Sequence, residues 1–148
     1  MNESAKLTQR EAEYLKEIYI LAMEGVILVG PAELSKRFSV ARPTAFQVLK
    51  KLESCGYLKR YKSKGYSLTE DGKHLAKQIV RNHRIFETYL VRVLNISLNE
   101  ACRITKPLEI SLDTRLIDKL CSILGHPERC PHGEPIPPGR HCPERRGE

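Results

Sequence analysis

Between Pro31 and Leu68 nine cations (Lys36, Arg37, Arg42, Lys50, Lys51, Lys59, Arg60, Lys62 and Lys64) are opposed by only two acids, Glu33 and Glu53. Their excess of +7 equals the net charge of the whole 148-residue chain, so the flanking sequence sums to zero. Like charges at this density cannot be buried, and any fold must spread them over a surface. Such a surface is the electrostatic footprint of a protein that grips phosphates. The alternative is an ordinary solvated basic face, and what separates the two is whether the segment has a shape that can enter a groove.

The local signals give it one. Thr8-Gln9-Arg10-Glu11 has the spacing of a capping box. Ala12, Leu15, Ile18, Tyr19 and Ala22 then repeat at three- and four-residue intervals, the apolar face of a first helix that Gly25 ends. Val26-Ile27-Leu28-Val29 is a short extended run. Pro31 suits the first turn of a helix through Phe38. After the turn at Ser39-Val40, residues 41–52 form a second helix, with Pro43 tolerated in its first turn. Two short helices joined by a few residues are a helix-turn-helix, whose second helix enters the major groove. Val48, Leu49 and Leu52 are expected to face the core, and Arg42, Thr44, Ala45 and Gln47 to face outward. Gln47 can offer a donor–acceptor pair to adenine, and Arg42 can address guanine or phosphate. Lys36, Arg37, Lys50 and Lys51 suit backbone phosphates, which position without specifying. Residues 57–68 then read as two short strands folded back near Ser63–Gly65, a basic wing with Lys62 and Lys64 at its tip.

The second half is helical. Leu75, Ile79, Val80, Phe86, Leu90, Val93 and Leu94 form an apolar stripe over about 25 residues. A stripe this long calls for a partner subunit, and a two-fold dimer reading two half-sites follows. Residues 97–105 and 111–124 read as two further amphipathic helices, separated by Lys106-Pro107. From Gly125 the chain holds six of its nine prolines and four of its nine glycines, an irregular extended tail. No stretch is long and apolar enough for a membrane span, and the polar segment Met1 to Arg10 lacks a hydrophobic signal core, pointing to the cytoplasm. Five widely spaced cysteines make a disulfide framework improbable. Cys55 and Cys121 sit among apolar neighbours and read as small core residues.

Several runs carry a resemblance. Glu13 to Tyr19, Arg42 to Gln47, Leu68-Thr69-Glu70-Asp71-Gly72, Arg81-Asn82-His83-Arg84-Ile85-Phe86-Glu87 and Cys130-Pro131-His132-Gly133-Glu134-Pro135-Ile136-Pro137 together resemble the DtxR/MntR family of metal-dependent transcriptional repressors, over roughly residues 8–138. The resemblance implies a mainly α (α+β) architecture. A winged helix-turn-helix over 1–72 would precede a helical dimerisation and metal-binding domain over 73–126, with the Pro/Gly-rich tail at 127–148. It also implies a divalent transition metal (Mn, Fe or Zn). His83 and Glu87, four apart on one helix face, match ligand positions, and Cys102 falls at the next one. Glu13 and Glu109 fit a second family site, but Lys106 and Ile110 stand where ligands would be, so that site reads as lost. In the tail, Cys130 with His132 and His141 with Cys142 could close a zinc site by themselves, or Cys130 and His132 could fold back to complete the set of His83, Glu87 and Cys102. Without a metal, His83–Glu87 is an ordinary surface pair and Cys102 a buried thiol.

The expected protein is a metal-responsive repressor that binds a palindromic duplex as a homodimer. Two other readings remain open: a thiol-based redox regulator with structural metal or none, and a winged helix used to bind protein. No phosphate loop, nucleophile elbow or HExxH pattern suggests an enzyme.

Overall fold

The computed structural model describes residues 7–145; the polar start before Leu7 and the last three residues of the tail lie outside that range. The chain divides into two compact units, one through Lys77 and one from Gln78.

In the first unit α1 (Gln9–Met23) starts with the expected reciprocal cap. The Thr8 hydroxyl accepts from the Glu11 amide at 3.1 Å, while Glu11 accepts from the Thr8 amide at 3.0 Å. Its buried face contains Ala12, Leu15, Ile18 and Tyr19 as the spacing requires, joined by Tyr14 and Leu21. Next come α2 (Pro31–Phe38) and α3 (Arg42–Ser54), separated by a turn in which Ser39 adopts the left-handed conformation (φ 52°, ψ 47°). Tyr14 of α1 stacks on Phe38 at 4.1 Å, tying the first helix to the end of α2. The buried face of α3 is Ala45, Leu49 and Leu52, an i, i+4, i+7 row, and Val48 is only half-buried. Ala45 therefore faces the core rather than outward. Cys55, expected in the core, caps the end of α3 and is exposed, because the helix finishes one residue before it.

Strands β1 (Leu58–Tyr61) and β2 (Gly65–Leu68) pair antiparallel, from Leu58 opposite Leu68 to Tyr61 opposite Gly65, around a single 3-10 turn at Lys62–Lys64. The run before α2 joins them: Val29 and Tyr66 exchange backbone hydrogen bonds of 2.9 and 2.8 Å. Gly65 makes this closeness possible. Its φ of +120° suits glycine, and a Cβ there would sit 2.9 Å from the Val29 carbonyl oxygen.

Helix α4 (Glu70–Arg92) begins under Thr69, whose hydroxyl accepts from the Gly72 amide at 3.0 Å and donates to the Gly56 carbonyl at 2.6 Å. In the second unit α4 is followed by α5 (Leu98–Thr105), capped by Ser97, and α6 (Thr114–Ile123), capped by Asp113. Helix α5 stops before Pro107, and the chain from Lys106 to Leu112 runs through turns. Of the α4 stripe, Ile79, Val80 and Leu90 are buried within this one chain, whereas Val93 and Leu94 are exposed. Leu75 and Phe86 are only half-buried, so the chain alone covers part of the stripe and leaves its far end open.

The tail is irregular in conformation but built into the core. Ile85 of α4, Ile117, Leu120 and Cys121 of α6, and Cys130 and Ile136 of the tail form one buried apolar cluster. A short loop closes on itself through a Cys130 amide to Glu134 carbonyl bond of 2.9 Å and an Arg129–Pro135 bridge. The Arg145 guanidinium donates to the Ile136 carbonyl at 2.7 Å.

Gly72 gives the sharpest test of this packing. A Cβ at Gly72 would lie 2.0 Å from the Tyr57 carbonyl oxygen, with backbone on both sides of the contact. Gly72→Ala is expected to lower the unfolding free energy by about 1–3 kcal/mol, read by urea denaturation. Tolerance without loss would show that the α4 start does not pack on Tyr57.

Candidate metal centre and nucleic-acid face

The cations of α3 and the wing are presented to solvent. Arg42, Pro43, Gln47, Lys50 and Lys51 are exposed along α3, with Thr44 half-buried, and Lys62 and Lys64 are exposed in the wing turn. Lys36 on α2 is also exposed. Arg37 differs: its guanidinium is bonded to Glu33 at 2.9 Å and to Glu17 at 2.6 Å, which hold its pKa above the ordinary value. Two carboxylates thus compete with any phosphate for that side chain. Arg60 lies over the Phe46 and Tyr66 rings at 5.9 and 6.0 Å, fastening the wing to α3.

In the second unit the donor residues converge. Glu87 has a side chain only 1% exposed and offers one oxygen to each of two imidazoles: Oε2 lies 2.9 Å from His83 Nε2, and Oε1 lies 2.8 Å from His132 Nδ1. Cys102 Sγ is 3.7 Å from the same His83 nitrogen. Ligand atoms of His83, Glu87 and Cys102 all lie within 4.8 Å of one another, and so do those of Glu87, Cys130 and His132. The tail thus brings Cys130 and His132 to the same carboxylate that His83 and Cys102 surround. The self-contained tail site is not brought together: Cys142 instead approaches Cys121, with the two sulfurs 3.6 Å apart, and His141 is exposed.

Glu109 lies against His83. Its carboxylate is fully buried and meets His83 Nδ1 at 2.6 Å. It is held there by Asn82, whose amide nitrogen donates to the Glu109 carbonyl at 2.9 Å while its amide oxygen accepts from Gln78 at 2.7 Å. His83 thus faces a carboxylate at each ring nitrogen. A carboxylate behind Nδ1 fixes the ring orientation and leaves Nε2 to bind a cation, the usual support for a metal-bound histidine. Spacing alone could not reveal this, because the loop after α5 decides where Glu109 points.

The donor set passes a chemical test for a metal. Two imidazoles, one carboxylate and two thiols, gathered around one buried carboxylate, suit a borderline divalent ion. The sulfurs favour Fe²⁺ or Zn²⁺ over Mn²⁺. Burial by itself would raise the Glu87 pKa, but the hydrogen bonds from His83 and His132 outweigh it and hold the carboxyl below its ordinary value.

Residues 6–66 match the N-terminal DNA-binding domain of iron-dependent repressors, and residues 69–138 match the iron-dependent repressor metal-binding and dimerisation domain. The chain belongs to the DtxR/MntR family. Among curated relatives, the iron-dependent repressor IdeR of Mycobacterium tuberculosis is 33% identical over 141 residues, 93% of this chain and 58% of that protein. The chain thus spans less than two thirds of the curated family members it matches first. A hypothetical protein from Sulfolobus solfataricus superposes with a TM-score of 0.70 at 30% identity, covering 88% of this chain and 99% of that one. A manganese-dependent transcriptional repressor solved with manganese gives 0.74 at 32% identity, covering 88% of this chain and 59% of that one. The mainly helical fold with a two-stranded wing is thus the DtxR/MntR fold.

The depressed Glu87 pKa has a definite sign. A carboxylate whose folded pKa lies below its ordinary value of 4.5 contributes stability above that pH and loses it as pH falls through the folded value. In chelator-treated protein Glu87→Gln should cost about 1–3 kcal/mol near neutral pH. That deficit should shrink as acid is added below the ordinary carboxylate range, as urea titrations at several pH values would measure. A deficit independent of pH would contradict the charge pairing.

Proposed function

We propose that this chain is a metal-responsive transcriptional repressor that binds duplex DNA as a homodimer. The reading rests above all on one coexistence: an exposed basic recognition helix and wing in one unit, and a buried N, O and S donor cluster in the other. Arg42 and Gln47 sit on the exposed early part of α3, where base edges are read, with Thr44 half-buried beside them. Lys36, Lys50, Lys51, Lys62 and Lys64 would neutralise phosphates, and Pro43 fixes the first turn of the helix that carries them.

His83, Glu87, Cys102, Cys130 and His132 would hold the metal, with Glu109 positioning His83. A bound ion supplies a positive charge that draws these donors, from α4, α5 and the tail, into one arrangement. Metal would then regulate by binding more tightly to the DNA-competent conformer, which shifts its population. The donor chemistry points to Fe²⁺ or Zn²⁺. Self-association is supported by the dimerisation domain matched at residues 69–138 and by exposed Val93, Leu94, Leu116 and Ile123 in the second unit. A palindromic operator follows from a two-fold dimer. No helix among the described residues is long and apolar enough to cross a membrane. Action on operator DNA would place the protein in the cytoplasm, as a regulator rather than an enzyme.

The test is binding to duplexes selected from a random library, followed by fluorescence anisotropy. Chelator should weaken binding at least tenfold, with Fe²⁺ or Zn²⁺ restoring it. Plots of log affinity against log salt should be steep, and removing Lys62 or Lys64 should flatten the slope by about 0.9 per lost phosphate contact. Arg37→Ala should leave that slope almost unchanged, because Glu17 and Glu33 already occupy the guanidinium. Gln47→Ala should cost about 1–3 kcal/mol at one base position only. Equal affinity with chelator and with metal would remove the metal half of the reading.

A further inference from the structure

A second group of soft donors lies in the same unit but shares no residue with the centre around Glu87. Cys121 of α6, His126 in the turn after it and Cys142 in the tail present ligand atoms that all fall within 4.8 Å of one another. Cys121 Sγ is 3.6 Å from Cys142 Sγ and 3.5 Å from His126 Nδ1. We propose that Cys121, His126 and Cys142 form a second, structural metal site for a thiophilic divalent cation, Zn²⁺ above all, with water as the fourth ligand.

Distances favour this reading. Tetrahedral zinc with Zn–S near 2.3 Å and Zn–N near 2.0–2.1 Å requires S···S of about 3.8 Å and S···N of about 3.6 Å. The Cys121–Cys142 and Cys121–His126 separations lie within about 0.2 Å of these values, and His126 lies within 4.8 Å of Cys142. A disulfide would need the sulfurs at about 2.05 Å. The surroundings suit thiolate ligands as well. The Gly139 amide donates to Cys142 Sγ at 3.3 Å, and Arg81 interacts with both thiols. Arg81 is itself fixed by Asp118 at 3.0 Å and by the Pro137 carbonyl at 3.0 Å.

Burial holds the Cys121 thiol above its ordinary pKa, and the neighbouring Arg81 works against that rise. A thiol that binds a cation gives up its proton to do so. Loading would form two Zn–S bonds and one Zn–N bond and release the two thiol protons to solvent, with no change of oxidation state. The ion would clip the tail at Cys142 onto α6. The stretch between, which carries Cys130 and His132 to Glu87, would then be anchored beyond its far end.

Metal stoichiometry of the whole chain distinguishes the two centres. Reduced protein would be loaded with Zn²⁺, dialysed and measured by mass spectrometry for metal per chain. Cys142→Ser and His126→Asn should each remove one equivalent relative to wild type. Glu87→Gln should remove a different one, so the double variant Cys142→Ser/Glu87→Gln loses both. His126 has φ +55°, a conformation asparagine accepts readily, so His126→Asn keeps the test valid if Cys142→Ser folds poorly. Unchanged stoichiometry in both single variants would overturn the proposal. So would a Cys121–Cys142 disulfide found by peptide mapping of the zinc-loaded wild type.

Discussion

The second unit depends on a polar stretch of α4 that should not, by composition, be inside a protein. Arg81, Asn82 and Glu87 are each no more than 3% exposed, and His83 is nearly as enclosed. Burying such groups costs several kcal/mol unless each finds a partner. The partners come from three later segments: the loop after α5, helix α6 and the tail. Arg81 takes Asp118 and the Pro137 carbonyl, Asn82 the carbonyls of Glu109 and Leu112, His83 the Glu109 carboxylate, and Glu87 the His132 ring. Satisfying one helix face is therefore the same event as placing the loop after α5, helix α6 and the tail. The apolar cluster around Ile85 and Ile136 supplies the driving force, and the polar stretch fixes which arrangement that cluster adopts.

The first unit solves the opposite problem. Its cations must stay outside, so its rigidity comes from small contacts beneath them. Gly65 against Val29 and Gly72 against Tyr57 let backbones approach where a larger side chain would hold them apart. Tyr14 stacked on Phe38 and Arg60 laid over Phe46 and Tyr66 then lock helices and wing together. A rigid frame matters for a phosphate-binding face, since flexible lysines contribute more when the backbone below them is already positioned.

Much of this was legible from spacing, wherever the deciding interaction lies within a turn or two of helix. The Thr8–Glu11 cap, Pro43 in the first turn of α3, the Lys62–Lys64 turn and the His83–Glu87 pair are all of that kind. The errors came from phase and distance. Ala45 reads as outward in company with Arg42, Thr44 and Gln47, although the i, i+4, i+7 row through Leu49 and Leu52 places it inside. Cys55 was counted as helical core although Gly56 directly follows it, and the helix ends before both. Glu109 and the trio of Cys121, His126 and Cys142 act across separations of 26 and 21 residues, where packing rather than spacing decides contact.

The position of Glu109 changes the meaning of Lys106 and Ile110. Read as a damaged second ligand set, those residues leave an acid with no purpose on a loop broken by Pro107. In the folded chain that acid is fully buried behind His83, where it orients the ring and leaves the other nitrogen facing Glu87 and Cys102. Cys130 and His132 add two further donors from the tail. On the proposed reading the chain concentrates on one reinforced centre the residues that could have served two. Any response to metal must then pass through α4, because every donor there either belongs to that helix or is placed by contact with it. The helix that carries His83 and Glu87 also begins under Thr69, at the foot of the wing. A single continuous helix thus contributes its first turns to one unit and its donor-bearing turns to the other.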